Sequence, residues 1–550
     1  MKKEFFLSVL ILLVISVNVS NSRLVLQYRI LEPNNIRSFF WSSGIFDQAA
    51  TTSSPGFEWP KNSNKNAIFS AGLNLIGRYN GNYRMAACTY KGEYVPGYCN
   101  NGIPVTNSNF RFYKVSRGDN IYTNPDWESW VLIVPFGAPY VDVNHNGIYE
   151  PAIDTPGVRN SASTIFICIT DGFWDTHSAS EGFGGGTLPL FAEIHMTAWA
   201  YTQPSYSDMQ FIKYEIINKG NVPWTNAYVS IISDPNLGFG GDDYIACDTI
   251  RKLGICYNAD NDDEIYGINP PAVGIMFLKG IVNKSVFPNV DLKMSSFCNL
   301  SNPAIPLVSC ESGGTGNPYL FIKGFKNDSS SWLDVTHPFN GNHYKKTKFC
   351  YYGDPETSAG WTEYKGKINN CDFGLNDTGI VIFPNPTFDR RMIMSSGAEN
   401  FTFNVGDTQT VYLCQLIARG TSNLNSVTKL KQLADVAQNF YNSGFTIGVK
   451  QISSVVPDKF ELFQNYPNPF NPITSIKFKV ASSKFIKLVV YDILGKEVAI
   501  LVNEKLQPGE YEIQFPNEQL TNIQLQSSVY FYSLFTNEKL IVTKKMVLLK

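Results

Sequence analysis

A mainly β chain, folded as antiparallel sandwiches with long loops and one packed α-helix, is the fold that three features of the sequence predict. Short runs such as Met209 to Asn218 and Tyr511 to Phe515 alternate apolar and polar residues with a period of two. Turn-forming residues interrupt these runs roughly every eight to twelve positions, in keeping with 42 glycines and 30 prolines. A single stretch, centred near Leu430, repeats its apolar residues at helical spacing.

The chain opens with a basic Met1-Lys-Lys3, an apolar run from Phe5 to Val17, and the small residues Ser20-Asn-Ser22. This pattern predicts a secretory signal peptide over residues 1–22. The run falls short of the roughly 20 apolar residues that a membrane span needs. No later stretch reaches that length, so the mature chain is expected to carry no transmembrane segment. From Arg23 onward, basic minus acidic residues is 43 minus 46, or −3, after Lys2, Lys3 and Glu4 are removed from 45 and 47. A near-neutral chain without a basic stripe gives no footing for nucleic acid. Its length suggests three or four domains at roughly 150 residues each, with cores large enough to stand without covalent staples.

An exported chain folds where disulfides form, and this one has ten cysteines. Near neighbours suggest the pairs Cys88–Cys99, Cys247–Cys256, Cys298–Cys310 and Cys350–Cys371. Cys168 and Cys414, in apolar runs, read as core thiols. The alternative is that several of the ten are buried free thiols, since cysteine packs as a small hydrophobe.

Residues 23–160 read as an N-terminal β-rich domain. Asn66 to Gly77 is strand-like, Asn80-Gly81 is a hairpin turn, and Asn82 to Tyr90 is its partner. Trp127 and Trp130 follow, either a platform for stacking sugars or a core pair. The domain ends in the chain's most chemical motif, Asp142-Val-Asn144-His-Asn146-Gly147-Ile148-Tyr-Glu150-Pro-Ala-Ile-Asp154. Calcium takes six to eight oxygens, and one loop can present most of them. Asp142, Asn144 and Asn146 alternate as oxygen donors, Gly147 allows the turn, Ile148 offers a carbonyl, and Glu150 and Asp154 add carboxylates. Only the first half fits a helix–loop–helix calcium loop, because Pro139, Pro151 and Pro156 oppose flanking helices. The expectation is a free-standing Ca2+ loop of structural role; the bland reading is an Asx-rich turn. His145 points outward and prefers softer metals, so it is not a ligand.

Residues 161–450 read as a second sandwich domain. Ser163 to Thr170 and Leu190 to Tyr201 are strands, and Gly182-Phe-Gly-Gly-Gly186 between them lacks the Lys-Ser/Thr of a phosphate loop. Met209 to Asn218 and Ala227 to Ser233 form a hairpin like those of immunoglobulin-like sandwiches. A run of acidic residues follows: Asp234, Asp242, Asp243 and Asp248, then Asn258 to Glu264. It is either a solvated acidic face or a second calcium site, with Asp234, Asp242, Asp243 and Asp248 as ligands. Residues 282–400 read as a loop-rich insertion. Val427, Leu430, Ala434, Ala437 and Tyr441 then line one face of a helix over about 425–443, capped by Asn425 or Ser426 and ended by Gly444. Residues 451–459 read as a linker.

The last segment, 460–550, begins with Gln464-Asn-Tyr-Pro-Asn-Pro-Phe-Asn-Pro472, whose prolines enforce an extended path. Alternating runs at 476–480, 485–492, 497–502, 511–515, 529–535 and 540–549 then predict a small β-sandwich. The ordered motifs Gln464 to Pro472, Val490-Tyr-Asp-Ile-Leu-Gly-Lys-Glu-Val498, Val529-Tyr-Phe-Tyr532 and Lys544-Lys-Met-Val547 resemble the type A C-terminal sorting domain of the type IX secretion system. Gln524-Leu-Gln-Ser-Ser528 departs from that pattern, standing where a tight Ser-Gly turn is usual. The resemblance implies export through periplasm and outer membrane, contact between residues 460–550 and the secretion machinery, and a secreted or cell-surface location. More loosely, Trp224, Asp234 to Gly238, Gly241 to Asp243, Cys247 to Thr249, Asp389 to Arg391, Met394 to Gly397 and the helix resemble large surface cargo proteins of unassigned function.

Catalytic signatures are thin. None of the five histidines sits in His-Glu-x-x-His spacing, and no Gly-x-Ser-x-Gly occurs. The favoured expectation is a calcium-stabilised, non-enzymatic surface β-protein with an interaction or adhesive role, taking a glycan or protein ligand. The rival is a secreted glycan-active enzyme or glycan-binding module, which would need opposed carboxylates in an aromatic cleft to be hydrolytic.

Overall fold

The computed structural model describes residues 26–549 except 51–53, 145, 179–182, 287, 302–309, 312–316, 372, 443, 446–448, 472, 516–525 and 538. The signal peptide and His145 lie outside the described residues. The chain is mainly β, in antiparallel sheets with few helices.

The principal strands of the body are β1 (Asn66–Tyr79), β2 (Ser163–Thr170), β3 (Ala192–Ala200), β4 (Met209–Asn218), β5 (Trp224–Pro235), β6 (Asp243–Asp248), β7 (Leu253–Asn258), β8 (Ala272–Lys279), β9 (Ser296–Ser301), β10 (Arg390–Gly397) and β11 (Thr408–Ala418). They build two sheets. The first runs β1–β5–β10–β9, with short strands beyond β1; the second runs β2–β3–β4–β11–β8–β7–β6.

One core joins the sheets. Leu73 and Leu75 of β1 and Ile231 of β5 share it with Ile194 and Met196 of β3, Ile212 and Tyr214 of β4, and Leu413 of β11. The period of two places these residues on one face of each strand, and each full burial of such a side chain contributes about 1.5–3 kcal/mol. The other face of the second sheet is covered as well. Helix α1 (Asn423–Asn442) lays Val427, Leu430, Ala434, Ala437 and Phe440 against Trp199, Phe211, Ile255 and Leu416. Elsewhere a lobe containing Phe110, Trp130 and Tyr149 covers Phe166 and Cys168. With both faces covered, β2 and β3 are buried at every position, which is why β2 runs apolar from Ile165 to Ile169 instead of alternating.

Several boundaries differ from expectation. Residue 160 does not separate two domains. β1 pairs with β5, Leu75 opposite Val229, and Tyr113–Ser116 pairs with β2, so segments on both sides of 160 share both sheets. A long apolar strand such as β1 needs neighbours on both edges, and the chain supplies one from about 150 residues later in sequence. The segment 282–400 is not wholly an insertion, since β9 and β10, near its two ends, are core strands of the first sheet. Its middle is tied down by a buried ion pair, Arg390 Nε to Glu363 Oε1 at 2.9 Å. The helix starts two residues before the expected position, because Ser422 Oγ accepts the Asn425 N–H (3.0 Å); Gly444 follows its end at φ 71°.

The cysteine pairing is also corrected. Cys310 bonds Cys371, and the other eight cysteines are buried thiols outside that disulfide. Cys256 stands opposite Ile245 and Cys247 opposite Gly254, a diagonal offset that puts the two sulfurs out of bonding register.

The C-terminal unit has its own core. Its strands are β12 (Val449–Ser453), β13 (Thr474–Val480), β14 (Lys484–Tyr491), β15 (Glu497–Leu506), β16 (Gly509–Phe515), β17 (Ser528–Thr536) and β18 (Lys539–Leu548). One sheet orders β12–β16–β13 with Glu461–Leu462 at its edge; the other orders β15–β14–β17–β18. β12 takes in the first residues of the expected linker, with Ser453 opposite Glu510.

Candidate functional site

In the C-terminal unit the four sequence motifs form one physical piece. Asn465 is buried; its amide donates to Thr474 Oγ1 (2.9 Å) and to the Pro467 carbonyl (3.1 Å), and its N–H donates to the Tyr532 hydroxyl (2.8 Å). That hydroxyl donates onward to the Phe463 carbonyl (2.9 Å). Asn468 Oδ1 accepts the Val547 N–H (2.9 Å). Phe470 pairs through its backbone with Val547 and Leu549, and its buried ring meets Phe515 at 6.0 Å. Val490 stands opposite Tyr532. The turn after β14 is held by Asp492 Oδ1, which accepts the N–H groups of Leu494 and Lys496, both at 2.9 Å. Its tip exposes Ile493 and Leu494. The prolines thus lead the chain across the end strand, and the asparagines between them supply the bonds that the prolines cannot donate.

The Asp142–Asp154 loop is closed at its base by a two-residue ladder, Tyr140 opposite Pro156 and Val141 opposite Thr155. Three of the expected ligands converge. The amides of Asn144 and Asn146 both donate to Glu150 Oε2, at 2.7 and 2.6 Å. Asp142 accepts the N–H groups of Asn146 (3.2 Å) and Gly147 (2.8 Å), and Gly147 adopts φ 77°. Ile148 donates its N–H to Asn146 Oδ1 (2.8 Å). Asp154 plays a different part. It is buried, and its two oxygens accept the N–H groups of Val143 (2.9 Å) and Glu150 (2.8 Å). Through these two bonds it fixes the loop's shape. The tryptophan pair braces the same loop: Trp127 Nε1 donates to the Pro151 carbonyl and fully buried Trp130 Nε1 to the Pro139 carbonyl, each at 2.9 Å.

The second expected ligand set does not share a centre. Asp243 and Asp248 are the two ends of β6, about 16 Å apart at strand rise. Asp248 holds Arg251 at 2.8 Å. Asp234 faces Arg391 (3.3 Å) and the Tyr90 hydroxyl (2.7 Å), and burial pushes its carboxyl up to about 7 against the pull of Arg391. Asp242 and Asp243 lie instead beside Asp263. Burial, opposed by Asn258, pushes Asp242 up to about 6, and Asp243 Oδ2 accepts the Leu237 N–H (3.1 Å).

Exposed aromatic surface lies elsewhere. An open groove of about 650 Å3 is lined by Tyr79, Arg84, Phe173, Trp174, Phe191 and Asn221, among others. Trp174 is 74% exposed. The Arg84 guanidinium lies 3.8 Å from the centre of the Tyr79 ring. The segment carrying Trp174 is mounted on buried charges. Glu93 Oε1 accepts the N–H groups of Ser178 and Gly186, both at 2.8 Å. Asp171 accepts those of Leu190 (2.7 Å) and Ala192 (2.6 Å). His177 lies between these acids, 3.2 Å from Glu93. Burial works against its charge, but the Glu93 contact and Asp171 raise its pKa above the usual value. Among the described lining residues Asp175 is the one carboxylate, and the groove offers aromatic rings for stacking and polar groups for hydrogen bonds. Sequence reasoning missed this groove because its residues come from several distant segments. Its one sequence signal was a tryptophan just past a buried strand and outside any alternating run.

Comparison with known proteins finds one family match: residues 464–549 match the secretion system C-terminal sorting domain. No curated protein matches the chain. Among solved structures, a polysaccharide lyase aligns at 8% identity over 65% of this chain and 34% of its own, with a TM-score of 0.17. This chain therefore spans about a third of the lyase's length. The adhesin domain of Epf from Streptococcus pyogenes aligns at 8% identity over 67% of this chain and 93% of its own, with a TM-score of 0.13. At such scores neither likeness carries an argument.

Proposed function

We propose that this type IX secretion cargo protein works outside the cell as a calcium-stabilised, non-enzymatic binding protein whose aromatic groove takes a saccharide. The sorting tail sends the protein through the outer membrane, to be secreted or held at the cell surface. Among the described residues, no helix is long and apolar enough to cross a membrane.

The observation that carries the binding role is Trp174, a solvent-facing indole held on a segment pinned by Glu93, Asp171 and His177. Exposing a large aromatic ring costs solvation energy unless a partner covers it. A sugar ring presents an apolar face to an indole and hydroxyls to groups such as Arg84 and Asn221. The pinned backbone lowers the entropy lost on binding.

Calcium is the second part of the reading. Asp142, Asn144, Asn146 and Glu150 supply the hard oxygens that the ion prefers, with the Ile148 carbonyl as a further donor. Extracellular sites of this kind bind at roughly 0.1–1 mM, which suits a structural ion.

The test is retention of the purified protein on a panel of immobilised soluble polysaccharides, with Trp174→Ala alongside. Binding to at least one polysaccharide, weakened about tenfold or more in the variant, is expected. No retention on any of them, or equal retention of the variant, would remove the saccharide reading.

A further inference from the structure

Three buried side chains on the second sheet place their ligand atoms within 4.8 Å of one another: Cys168, Glu193 and His195. The register explains the meeting. Cys168 of β2 stands directly opposite His195 of β3, and Glu193, two residues earlier on β3, shares the same face. Their exposures are 2%, 3% and 7%. The covering lobe sits directly on them. The Phe136 ring meets the imidazole edge-on at 6.5 Å. At Gly137, φ 82°, a Cβ would fall 2.8 Å from His195 Nδ1 and 2.7 Å from Glu215 Oε2, so only glycine lets the backbone come this close.

Each of the carboxylate and imidazole groups is oriented from behind. Glu193 Oε2 accepts the Cys99 N–H (3.1 Å), which turns Oε1 toward His195 Nε2 at 2.9 Å. The other imidazole nitrogen, Nδ1, lies 3.7 Å from Glu215 Oε2, and Glu215 is held by Lys213 at 2.8 Å. A carboxylate behind the histidine is the usual support of a metal-bound imidazole.

We propose that Cys168, Glu193 and His195 bind a divalent metal of the zinc class, with Glu215 as the positioning residue for His195. Sulfur, oxygen and nitrogen donors together suit zinc, whereas a hard cation such as calcium does not take a thiolate. One thiolate and one carboxylate cancel the charge of the ion, which suits a buried site. Binding displaces the thiol proton, leaves His195 neutral with its proton on Nδ1 toward Glu215, and moves no electrons. The site is separate from the calcium-type loop and from the groove reading, and stands if either fails.

The full chain, stripped with a chelator, is titrated with zinc against a chromophoric competitor and then with cobalt. About one tightly held zinc ion per chain is expected, together with a thiolate-to-cobalt charge-transfer band in the near ultraviolet. Cys168→Ser should abolish that band. Glu215→Gln should keep it while weakening zinc affinity about tenfold or more. Zinc-edge X-ray absorption of the wild type should find a single sulfur among nitrogen and oxygen neighbours, which tests the site even if the serine variant misfolds. Absence of the band, its survival in Cys168→Ser, or a sulfur-free zinc shell would leave these residues as a salt-bridge cluster with Lys213 and Lys219 and overturn the proposal.

Discussion

Replacing Asp47 with asparagine should stabilise this protein at alkaline pH. Asp47 is fully buried where the two body sheets meet. Its Oδ1 accepts the Ser38 hydroxyl at 2.5 Å, and its Oδ2 accepts the Gln415 amide of β11. Burial pushes its carboxyl up to about 7, only partly offset by Ser38 and Gln415. A group whose folded pKa lies above its unfolded value of 3.8 binds more protons folded than unfolded between those limits. Stability therefore falls as pH rises from about 4 to about 7, then levels off. Three units at about 1.4 kcal/mol each give a penalty on the order of 4 kcal/mol at pH 8. Asparagine carries no charge and escapes it. It also keeps the hydrogen bonds, because Gln415 Oε1 is buried without a partner and, with the amide turned over, would accept from the asparagine. At roughly 2 °C per kcal/mol for a chain of this size, Asp47→Asn should melt several degrees above wild type at pH 8 and only about 2 °C above it at pH 4.5, where the penalty is about 1 kcal/mol. Thermal melts followed by circular dichroism at the two pH values measure this. A gain of the same size at both pH values, or a loss at pH 8, would refute the reasoning.

Millimolar calcium should raise the melting temperature of the wild type, and Asp142→Ala should abolish that rise while leaving the chelator-treated protein nearly unchanged; no rise in the wild type, or an equal one in both, would remove the ion from this loop. Asp154→Ala should destabilise even without calcium, by about 2–3 kcal/mol, because the Val143 and Glu150 N–H groups lose a charged acceptor. Urea titration in chelator reads that difference, and no change would contradict the anchoring role. In the tail, Phe470→Ala leaves a cavity beneath the Phe515 ring and should cost about 3–5 kcal/mol. That is a large share of what a domain of this size possesses, so limited proteolysis should release or digest the tail of the variant; resistance equal to wild type would show that the motif is not what closes this core.

The tail was the most legible part of the chain. Its strands alternate because each sheet has one buried face, and Asp492 to Lys496 and Pro508-Gly509 mark where they reverse. The motifs could be read as a string, but their convergence on Tyr532 and Val547 is a product of pairing order. In the body the helix was visible, and so was the hairpin strand Met209–Asn218. What stayed hidden was partnership at long range. Nothing local says that β1 will lie beside β5, or that Cys310 will reach past Cys298 to Cys371, since such choices belong to the closed sheet and not to any window of residues. The tight Asp142–Asp154 loop was legible because its Asx and Gly residues lie within thirteen residues. The Asp234–Asp248 set misled because sequence proximity along a strand is distance in space. His195 and Glu193 drew no attention, since on an alternating strand they read as an ordinary solvent face, and only the fold shows that face buried with Cys168 standing across from His195.

The account rests on residues 464–549 acting as an export signal. Fractionation of the native host, comparing the full chain with one ending before Val449, measures this directly. The full chain should be found outside the outer membrane, and the truncated chain should stay folded in the periplasm. A truncated chain that still reached the outside at the wild-type level would contradict it.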